Sequence, residues 1–139
     1  MTPTATAHWE GNLKEGKGSL TTASNILNQT NYSCKTRFED GVVGTNPDEL
    51  LAAALAGCFT ITVAAILAQK NIIPTALDTE ATLTMEGLSI TKIHLSITAS
   101  VQGMNADDFA AVTKEAEKNC LISKVLSIPI SSEAHFKIR

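Results

Sequence analysis

The stretch TNPDELLAAALAGCFTITVAAILAQK, residues 45–70, decides how the rest of the chain must fold. It begins as a helix does: Asn46 is a good N-cap, Pro47 suits the first helical position, and Asp48 and Glu49 place negative charge at the positive end of the helix dipole. A helix of about 24 residues is about 36 Å long, close to the diameter of a compact domain of this size. Because it is apolar all round, we expect it to need cover on every side.

The size and charge of the chain limit the classes of function. With 139 residues, 44% of them apolar, it is long enough for one domain with a proper core, residues 1–139. The net charge of −3 comes from interspersed acids and bases without a basic run, so we expect no nucleic-acid partner. The first residues, MTPTATAHWEGN, lack the features of a secretion signal, which predicts a cytoplasmic protein.

The uncharged run from Leu50 to Ala68 is 19 residues, long enough to raise the question of a membrane span. Seven of these residues are Ala, two are Thr and one is Gly, and no Trp or Tyr marks either end. Polar, amphipathic segments also surround the run on both sides. We therefore predict a buried helix of a soluble protein, without a membrane partner.

The rest of the chain predicts strands on both sides of this helix and a second helix near the end. Tyr32–Phe38 alternates like a strand, with Cys34 on one face and Arg37 on the other. The other predicted elements are a hairpin of Thr4–Glu10 and Gly18–Thr22, a long ribbon of Leu77–Met85 and Ser89–Val101, a helix at Asp107–Lys118, and a last strand at Ser127–Ile138 whose alternation shifts near Ser131. This order predicts an α+β fold with a mostly antiparallel sheet and the helices on one face.

That layout leaves one side of the long helix without cover. A single antiparallel sheet can cover one side, but the opposite side still carries large apolar residues. A symmetric homodimer would bury it, so we expect the chain to dimerise.

Cys58 lies at the centre of the long helix, and it is one of three cysteines, with Cys34 and Cys120. None of them forms a C-x-x-C pair, and His8, His94 and His135 show no metal-binding spacing, so we expect neither a metal nor a cofactor. Free cysteine is often a small buried hydrophobe. The alternative is that the small neighbours of Cys58 leave room for another backbone or a small apolar ligand near the thiol.

Peroxide reduction by a cysteine needs a thiolate, a nearby cation, a group that orients the peroxide oxygens and a second thiol. The chain has a candidate for each requirement. Cys58 lies on the apolar helix, and Arg37 comes shortly before that helix in the chain. The acids Asp48 and Glu49 lie at the start of the helix. Cys120 lies at a later helix boundary, where Asn119 either ends one helix or caps the next.

These residues resemble the osmotically inducible protein C and organic hydroperoxide resistance family of thiol peroxidases. The resemblance covers nearly the whole chain and includes AHWEGNLKEGKGSL at 7–20, TRFE at 36–39, GTNPDELLAAALAGCF at 44–59, ITKIHL at 90–95 and AEKNCLISKVL at 116–126. The third and last of these are the specific ones. The tryptophan near the start resembles the osmotically inducible branch in particular.

The resemblance implies an intertwined homodimer with two active sites at its interface, in a cytoplasmic antioxidant enzyme of the stress response. By it, Cys58 is the peroxidatic cysteine, Cys120 the resolving one and Arg37 the residue that stabilises the thiolate. The family's catalytic glutamate stands ten residues before the first cysteine, where this chain has Asp48 with Glu49 beside it. Either the shorter Asp48 makes a looser salt bridge to Arg37, or Glu49 takes its place. Leu121 replaces the usual proline after Cys120, which leaves the shape of that turn open.

Helix geometry separates Asp48 from Cys58 by about 15 Å along one straight helix, so Arg37 or the dimer would have to bring them together. The predicted activity is reduction of organic hydroperoxides, and more weakly of hydrogen peroxide, through a Cys58 sulfenate and a Cys58–Cys120 disulfide. A dithiol, by resemblance of the lipoyl type, would reopen that disulfide. The alternative function is a non-enzymatic, dimeric stress protein that binds an apolar ligand near Cys58.

Overall fold

The computed structural model describes residues 1–137 and has mixed α+β structure, as predicted. It contains two three-stranded sheets and not one, in the orders β1-β2-β3 and β4-β5-β6. The elements are β1 (Ala5–Glu10), β2 (Lys17–Thr22), β3 (Thr30–Tyr32), α1 (Cys34–Phe38), α2 (Pro47–Gln69), β4 (Pro74–Glu86), β5 (Ser89–Val101), α3 (Ala106–Asn119), α4 (Leu121–Val125) and β6 (Ile130–Lys137). The chain forms two compact units, Met1–Leu50 and a second that begins at Leu51. The organisation as a single domain stays a prediction.

The first unit is built on the predicted hairpin, with β3 paired antiparallel to β2. Gly18 of β2 lies beneath an edge-to-face pair of rings, Trp9 and Tyr32, whose centroids are 5.9 Å apart. A Cβ atom on Gly18 would lie 2.5 Å from the Tyr32 ring and 2.8 Å from the Trp9 ring. Only glycine therefore lets the two rings close over this strand.

The predicted strand at Tyr32–Phe38 is wrong, because residues 34–38 form the short helix α1. Ser33 caps this helix in a full capping box: the Thr36 N–H donates to Ser33 Oγ at 3.1 Å, and the Ser33 N–H donates to Thr36 Oγ1 at 2.7 Å. These two local hydrogen bonds decide the conformation, since alternation over seven residues is a weak signal. The spacing S-x-x-T was the available sequence signal.

Helix α2 begins as predicted, with the Glu49 N–H donating to the Oδ1 atom of the N-cap Asn46 at 2.7 Å. Five large side chains lie along one side of it and enter the core of the second unit: Leu55, Phe59, Val63, Ile66 and Leu67. The exposed residues Ala53, Ala54, Gly57, Ile61, Ala65 and Ala68 fall within a sector of about 120° on the other side. We call this sector the small-residue face of α2.

Helix α2 is long and apolar enough to cross a membrane by length and composition, and 28% of its most apolar stretch is buried. Such a helix is weak evidence for a membrane protein, because the core helix of a soluble domain has the same composition. What the structure adds is that five large side chains of α2 are already packed against protein. The small-residue face is the part that still lacks cover.

The second unit is organised around the ribbon of β4 and β5, which confirms the predicted pair. Their two-residue loop begins at Gly87, whose φ of 62° favours glycine. The core side chains Ile93, Leu95 and Ile97 come from one face of β5 and are fully buried.

Strand β6 lies parallel to β5, so the sheet of the second unit is mixed. Parallel neighbours require a long crossover, which α3 and α4 provide. The predicted shift in alternation near Ser131 is wrong: Ser132 is the buried residue between Ile130 and Ala134. Its hydroxyl is satisfied by Glu117 and Lys114 of α3, which is why a polar residue occupies an inward position. The last residue of the predicted strand, Ile138, lies outside the described residues.

Candidate active site

The Arg37 guanidinium is held by Asp48 within the first unit. Arg37 Nε donates to Asp48 Oδ2 at 3.1 Å and Nη2 donates to Oδ1 at 3.2 Å, which is the two-pronged geometry that suits a planar guanidinium. The Arg37 and Asp48 side chains are 39% and 16% exposed, respectively. The pair is therefore more shielded from solvent at its carboxylate than at its guanidinium.

Glu49, the other candidate acid, makes a different contact. Its Oε2 atom accepts a hydrogen bond of 2.8 Å from the Thr45 hydroxyl, one turn earlier. Of the two adjacent acids, Asp48 is thus the partner of Arg37. The shorter aspartate side chain does not prevent a bidentate contact here.

Cys34 does not lie opposite Arg37, as the predicted strand would have placed it. Both residues are in α1, three positions apart, and side chains with that spacing lie on the same side of a helix. The Cys34 thiol is free and partly exposed. The predicted placement of Cys34 and Arg37 on opposite faces is therefore wrong.

The Cys58 thiol lies close enough to the Cys120 thiol in the second unit to lower its pKa, although 62 positions separate the two residues in the chain. Both are free thiols; Cys58 is partly exposed and Cys120 is fully buried. Cys58 is at the edge of the buried side of α2, next to the small-residue face. Two thiols so placed can be joined by oxidation and separated by reduction.

The surroundings of the thiol pair are apolar. Cys120 belongs to the core of the second unit, and Cys58 packs against that core together with Leu51, Ile122 and Leu126. The Thr62 hydroxyl, one turn after Cys58 on α2, donates its hydrogen to the Cys58 carbonyl at 2.8 Å and so is not free to donate to the Cys58 sulfur. An apolar surface next to a thiol favours a substrate with a hydrocarbon part.

Cys120 lies at the junction of two helices, as predicted. It follows the last residue of α3 and is the N-cap of α4, and its N–H donates to the Ala116 carbonyl at 2.9 Å. Asn119 neither caps α4 nor adopts a left-handed conformation; it is the last residue of α3. The Cys120 backbone is itself extended, with φ −62° and ψ 125°.

The environment of Cys120 favours its ionised form. Burial is the largest single influence and raises the pKa of the Cys120 thiol. The Ser123 N–H and hydroxyl, the Cys58 thiol and the Ile122 N–H act in the opposite direction and together leave the pKa below its usual value. Ser123 was not among the predicted site residues, although its place three residues after a helix boundary was a visible signal in the sequence.

A second group of polar side chains lies on the exposed face of β5 and β6. His94 Nδ1 and Ser131 Oγ share a hydrogen bond of 2.6 Å, and Glu133 bridges His94 at 3.1 Å and His135 at 3.6 Å. The His94 contact is the largest influence that lowers the pKa of Glu133. Among the described residues, no group of three or more His, Cys, Asp or Glu side chains is arranged to hold a metal ion.

A comparison with protein families matches residues 38–133 to the family described as OsmC-like protein. The chain belongs to the OsmC-like family. This family assignment confirms the resemblance drawn from the residues around the two cysteines.

The curated relatives support the same assignment over almost the whole chain. Peroxiredoxin OsmC of Escherichia coli is 40% identical over 135 residues, covering 94% of each chain. An uncharacterized Bacillus subtilis protein, YmaD, is 29% identical over 146 residues, covering 95% of this chain and 92% of its own.

Solved structures of OsmC-like proteins share the fold. An OsmC-like protein of unknown function from Vibrio cholerae has a TM-score of 0.75 at 16% identity, covering 96% of this chain and 99% of that one. The organic hydroperoxide resistance protein OhrB of Bacillus subtilis has a TM-score of 0.62 at 19% identity, covering 96% and 98%. At these identities the likeness concerns the fold alone.

Proposed function

We propose that this OsmC-like protein is a cysteine-dependent peroxidase that reduces organic hydroperoxides, and more weakly hydrogen peroxide. The observation that carries the proposal is the closeness of two free thiols, Cys58 and Cys120, in an apolar part of the second unit. The 40% identical relative named Peroxiredoxin OsmC supports this activity.

In the proposed reaction the Cys58 thiolate attacks the terminal peroxide oxygen. The O–O bond breaks, the alkoxide takes up a proton and leaves as an alcohol, and Cys58 becomes a sulfenic acid. The Cys120 thiolate then attacks the Cys58 sulfur, and hydroxide leaves and is protonated to water. A dithiol of the lipoyl type reduces the resulting disulfide and is itself oxidised to a disulfide.

Arg37 is proposed to stabilise the Cys58 thiolate and the developing alkoxide. A guanidinium has five N–H donors, and the contact with Asp48 uses two of them. The others can donate to a peroxide oxygen or to the thiolate sulfur. Asp48 would fix the orientation of the Arg37 guanidinium. Glu49 is proposed to act indirectly, by accepting the hydrogen bond from Thr45 at the start of α2.

The active enzyme is proposed to be an intertwined homodimer. The small-residue face of α2, with Ile61 at its centre and no atom within 4 Å of a Cβ added at Gly57, suits close packing against a second copy. The cytoplasmic location stays a prediction as well. Purification from the soluble fraction without detergent would support it, and a requirement for detergent would favour the membrane alternative.

The preference for organic hydroperoxides follows from the apolar surroundings of Cys58. Each methylene that a substrate buries contributes about 0.8 kcal/mol, or about fourfold in kcat/KM when it is buried in the transition state. We expect cumene hydroperoxide to be reduced with a kcat/KM well above that of hydrogen peroxide, measured in a coupled assay with a dithiol reductant.

Intact-mass spectrometry after one equivalent of cumene hydroperoxide tests the reaction itself. The wild-type chain should lose two hydrogens as Cys58 and Cys120 join, whereas Cys120→Ser should gain one oxygen at Cys58. Cys34→Ser is the matched control, because it removes the free thiol outside the pair and should behave as wild type. An unchanged wild-type mass, with the hydroperoxide not consumed, would favour the ligand-binding alternative.

A further inference from the structure

Ser123 presents a buried hydroxyl that the proposed reaction has not used. It is the third residue of α4, and its Oγ atom is buried without any hydrogen-bond partner among the described residues. Buried hydroxyls nearly always have a partner, so this group calls for a physical explanation.

Helix α1 shows how an N-cap residue and the third residue of a helix normally interact. There the N-cap Ser33 and the residue three positions later, Thr36, exchange two hydrogen bonds in a capping box. In α4 the corresponding residues are Cys120 and Ser123, and the N-cap side chain makes no capping hydrogen bond. The Cys120 N–H, which Ser123 would otherwise bind, already donates to the Ala116 carbonyl at 2.9 Å. The Ser123 hydroxyl therefore stays unpaired, in the turn of helix that begins at Cys120.

A hydroxyl in this place interacts differently with the two forms of the thiol. A hydrogen bond to a charged acceptor is about twice as strong as one between neutral groups, so a thiolate draws the Ser123 hydrogen more strongly than a thiol. The Ser123 hydroxyl is accordingly among the groups that lower the pKa of Cys120. Burial of the sulfur strengthens the effect, because little water competes for it.

We propose that Ser123 is a positioning residue that donates its hydroxyl hydrogen to the Cys120 thiolate and so prepares this sulfur to attack the Cys58 sulfenic acid. The step rests on the proposed peroxidase function. In it the Cys120 sulfur supplies the electron pair of the new S–S bond, the Cys58 S–O bond breaks, and the hydroxide released takes a proton to form water. Ser123 keeps its own proton, and it neither gains nor loses a covalent bond.

The effect of removing the hydroxyl depends on pH in a characteristic way. If Ser123→Ala raises the pKa of Cys120 by one unit, the thiolate fraction at lower pH falls about tenfold. The more basic thiolate is about threefold more nucleophilic, so disulfide formation slows about threefold in that range. Above both pKa values the variant should equal or exceed the wild-type rate. The two pH profiles should therefore cross.

The experiment mixes reduced protein with one equivalent of cumene hydroperoxide at a series of pH values and follows two rates. Formation of the Cys58 sulfenic acid is followed by trapping with dimedone, and formation of the disulfide by quenched-flow mass spectrometry. We expect Ser123→Ala to leave the first rate unchanged and to slow the second about threefold at low pH with a crossing at high pH. Ser123→Thr, which keeps a hydroxyl, should restore the wild-type profile.

Ser100→Ala is the matched control, because Ser100 in β5 carries the other buried hydroxyl without a partner among the described residues. It should change neither rate. Equal slowing of Ser123→Ala at every pH, or the same effect from Ser100→Ala, would mean a merely structural role and would overturn the proposal.

Titration of the reduced protein with ¹³Cβ-labelled cysteine separates this proposal from the peroxidase assignment. The Cys120 midpoint should rise in Ser123→Ala and stay in place in Ser100→Ala, and an unmoved midpoint in Ser123→Ala overturns the proposal. If the wild-type chain forms no sulfenic acid, the peroxidase assignment fails by itself, and the titration still decides whether Ser123 stabilises the Cys120 thiolate.

Discussion

Arg37 and Asp48 show how the geometry of one side chain pair selects between two neighbouring acids. Both acids start α2, but only Asp48 meets the guanidinium, and it does so with both oxygens. Glu49 is occupied by the Thr45 hydroxyl. A bidentate contact fixes the plane of the guanidinium as well as its position, which a single contact would not do.

We predict that Asp48→Asn lowers kcat/KM for cumene hydroperoxide by about tenfold. The Arg37 guanidinium would lose a charged acceptor, and its orientation would no longer be fixed. Glu49→Gln should cause a smaller loss, since the amide oxygen can still accept from Thr45. Steady-state kinetics with a dithiol reductant measures both variants. A loss in Glu49→Gln as large as that in Asp48→Asn would contradict this assignment of the two acids.

The two thiols show, at the residue scale, what can and what cannot be predicted from the sequence. Their residue types and the helix boundary at Cys120 were visible in the sequence, and the resemblance paired them. Their closeness depends on where α2 and α4 lie in the second unit, which spacing along the chain does not specify. Ser123 went unnoticed for the same reason: a serine at the third position of a helix ordinarily serves the cap.

At the scale of elements, Asn46 joins α1 to the start of α2, within the first unit. Its Oδ1 atom caps α2 by accepting from the Glu49 N–H at 2.7 Å, and its Nδ2 group donates to the Thr36 carbonyl of α1 at 3.2 Å. One amide side chain therefore sets the start of α2 and ties it to the helix that carries Arg37.

We predict that Asn46→Ala destabilises the protein by about 1 kcal/mol for the lost cap and by about 1 kcal/mol more for the carbonyl bond. Asn46→Ser keeps a capping oxygen and should lose only the second contribution. Urea unfolding followed by circular dichroism gives both values. Equal destabilisation of the two variants would show that the carbonyl bond, and not the cap, is the important contact.

The elements also show where local chemistry overrides a pattern. The ribbon β4–β5 and the helices α2 and α3 were predicted close to their observed bounds, because their periodic patterns are long. The strand predicted at residues 32–38 is the helix α1, because a capping box of Ser33 and Thr36 outweighs a short alternation. The parallel pairing of β6 could not be predicted either, since alternation does not distinguish strand direction.

At the scale of the whole molecule, the small-residue face of α2 is the feature that remains unexplained by a single chain. Ile61 is 72% exposed at its centre, on a helix whose other side is packed against the core. Exposed apolar surface of this kind ordinarily marks an interface.

We predict that Ile61→Asp converts the proposed dimer to a monomer, because a carboxylate on this face would be buried without a partner. Ile73→Asp is the matched control: Ile73 is also an exposed isoleucine, 88% accessible, but it follows α2 and lies outside the face. Sedimentation equilibrium without detergent measures both. A dimer that survives Ile61→Asp would place the interface elsewhere.

The sequence by itself determined the α+β class, the long apolar helix with its start at Asn46 and the family, and it predicted the residues on which peroxide chemistry would depend. These properties follow from composition, long periodic patterns and motifs, which are local along the chain. Only the tertiary structure decided the division into two sheets, the parallel β6, the choice of Asp48 over Glu49 and the closeness of Cys58 to Cys120. Each of these depends on the directions in which distant segments approach, and packing sets those directions.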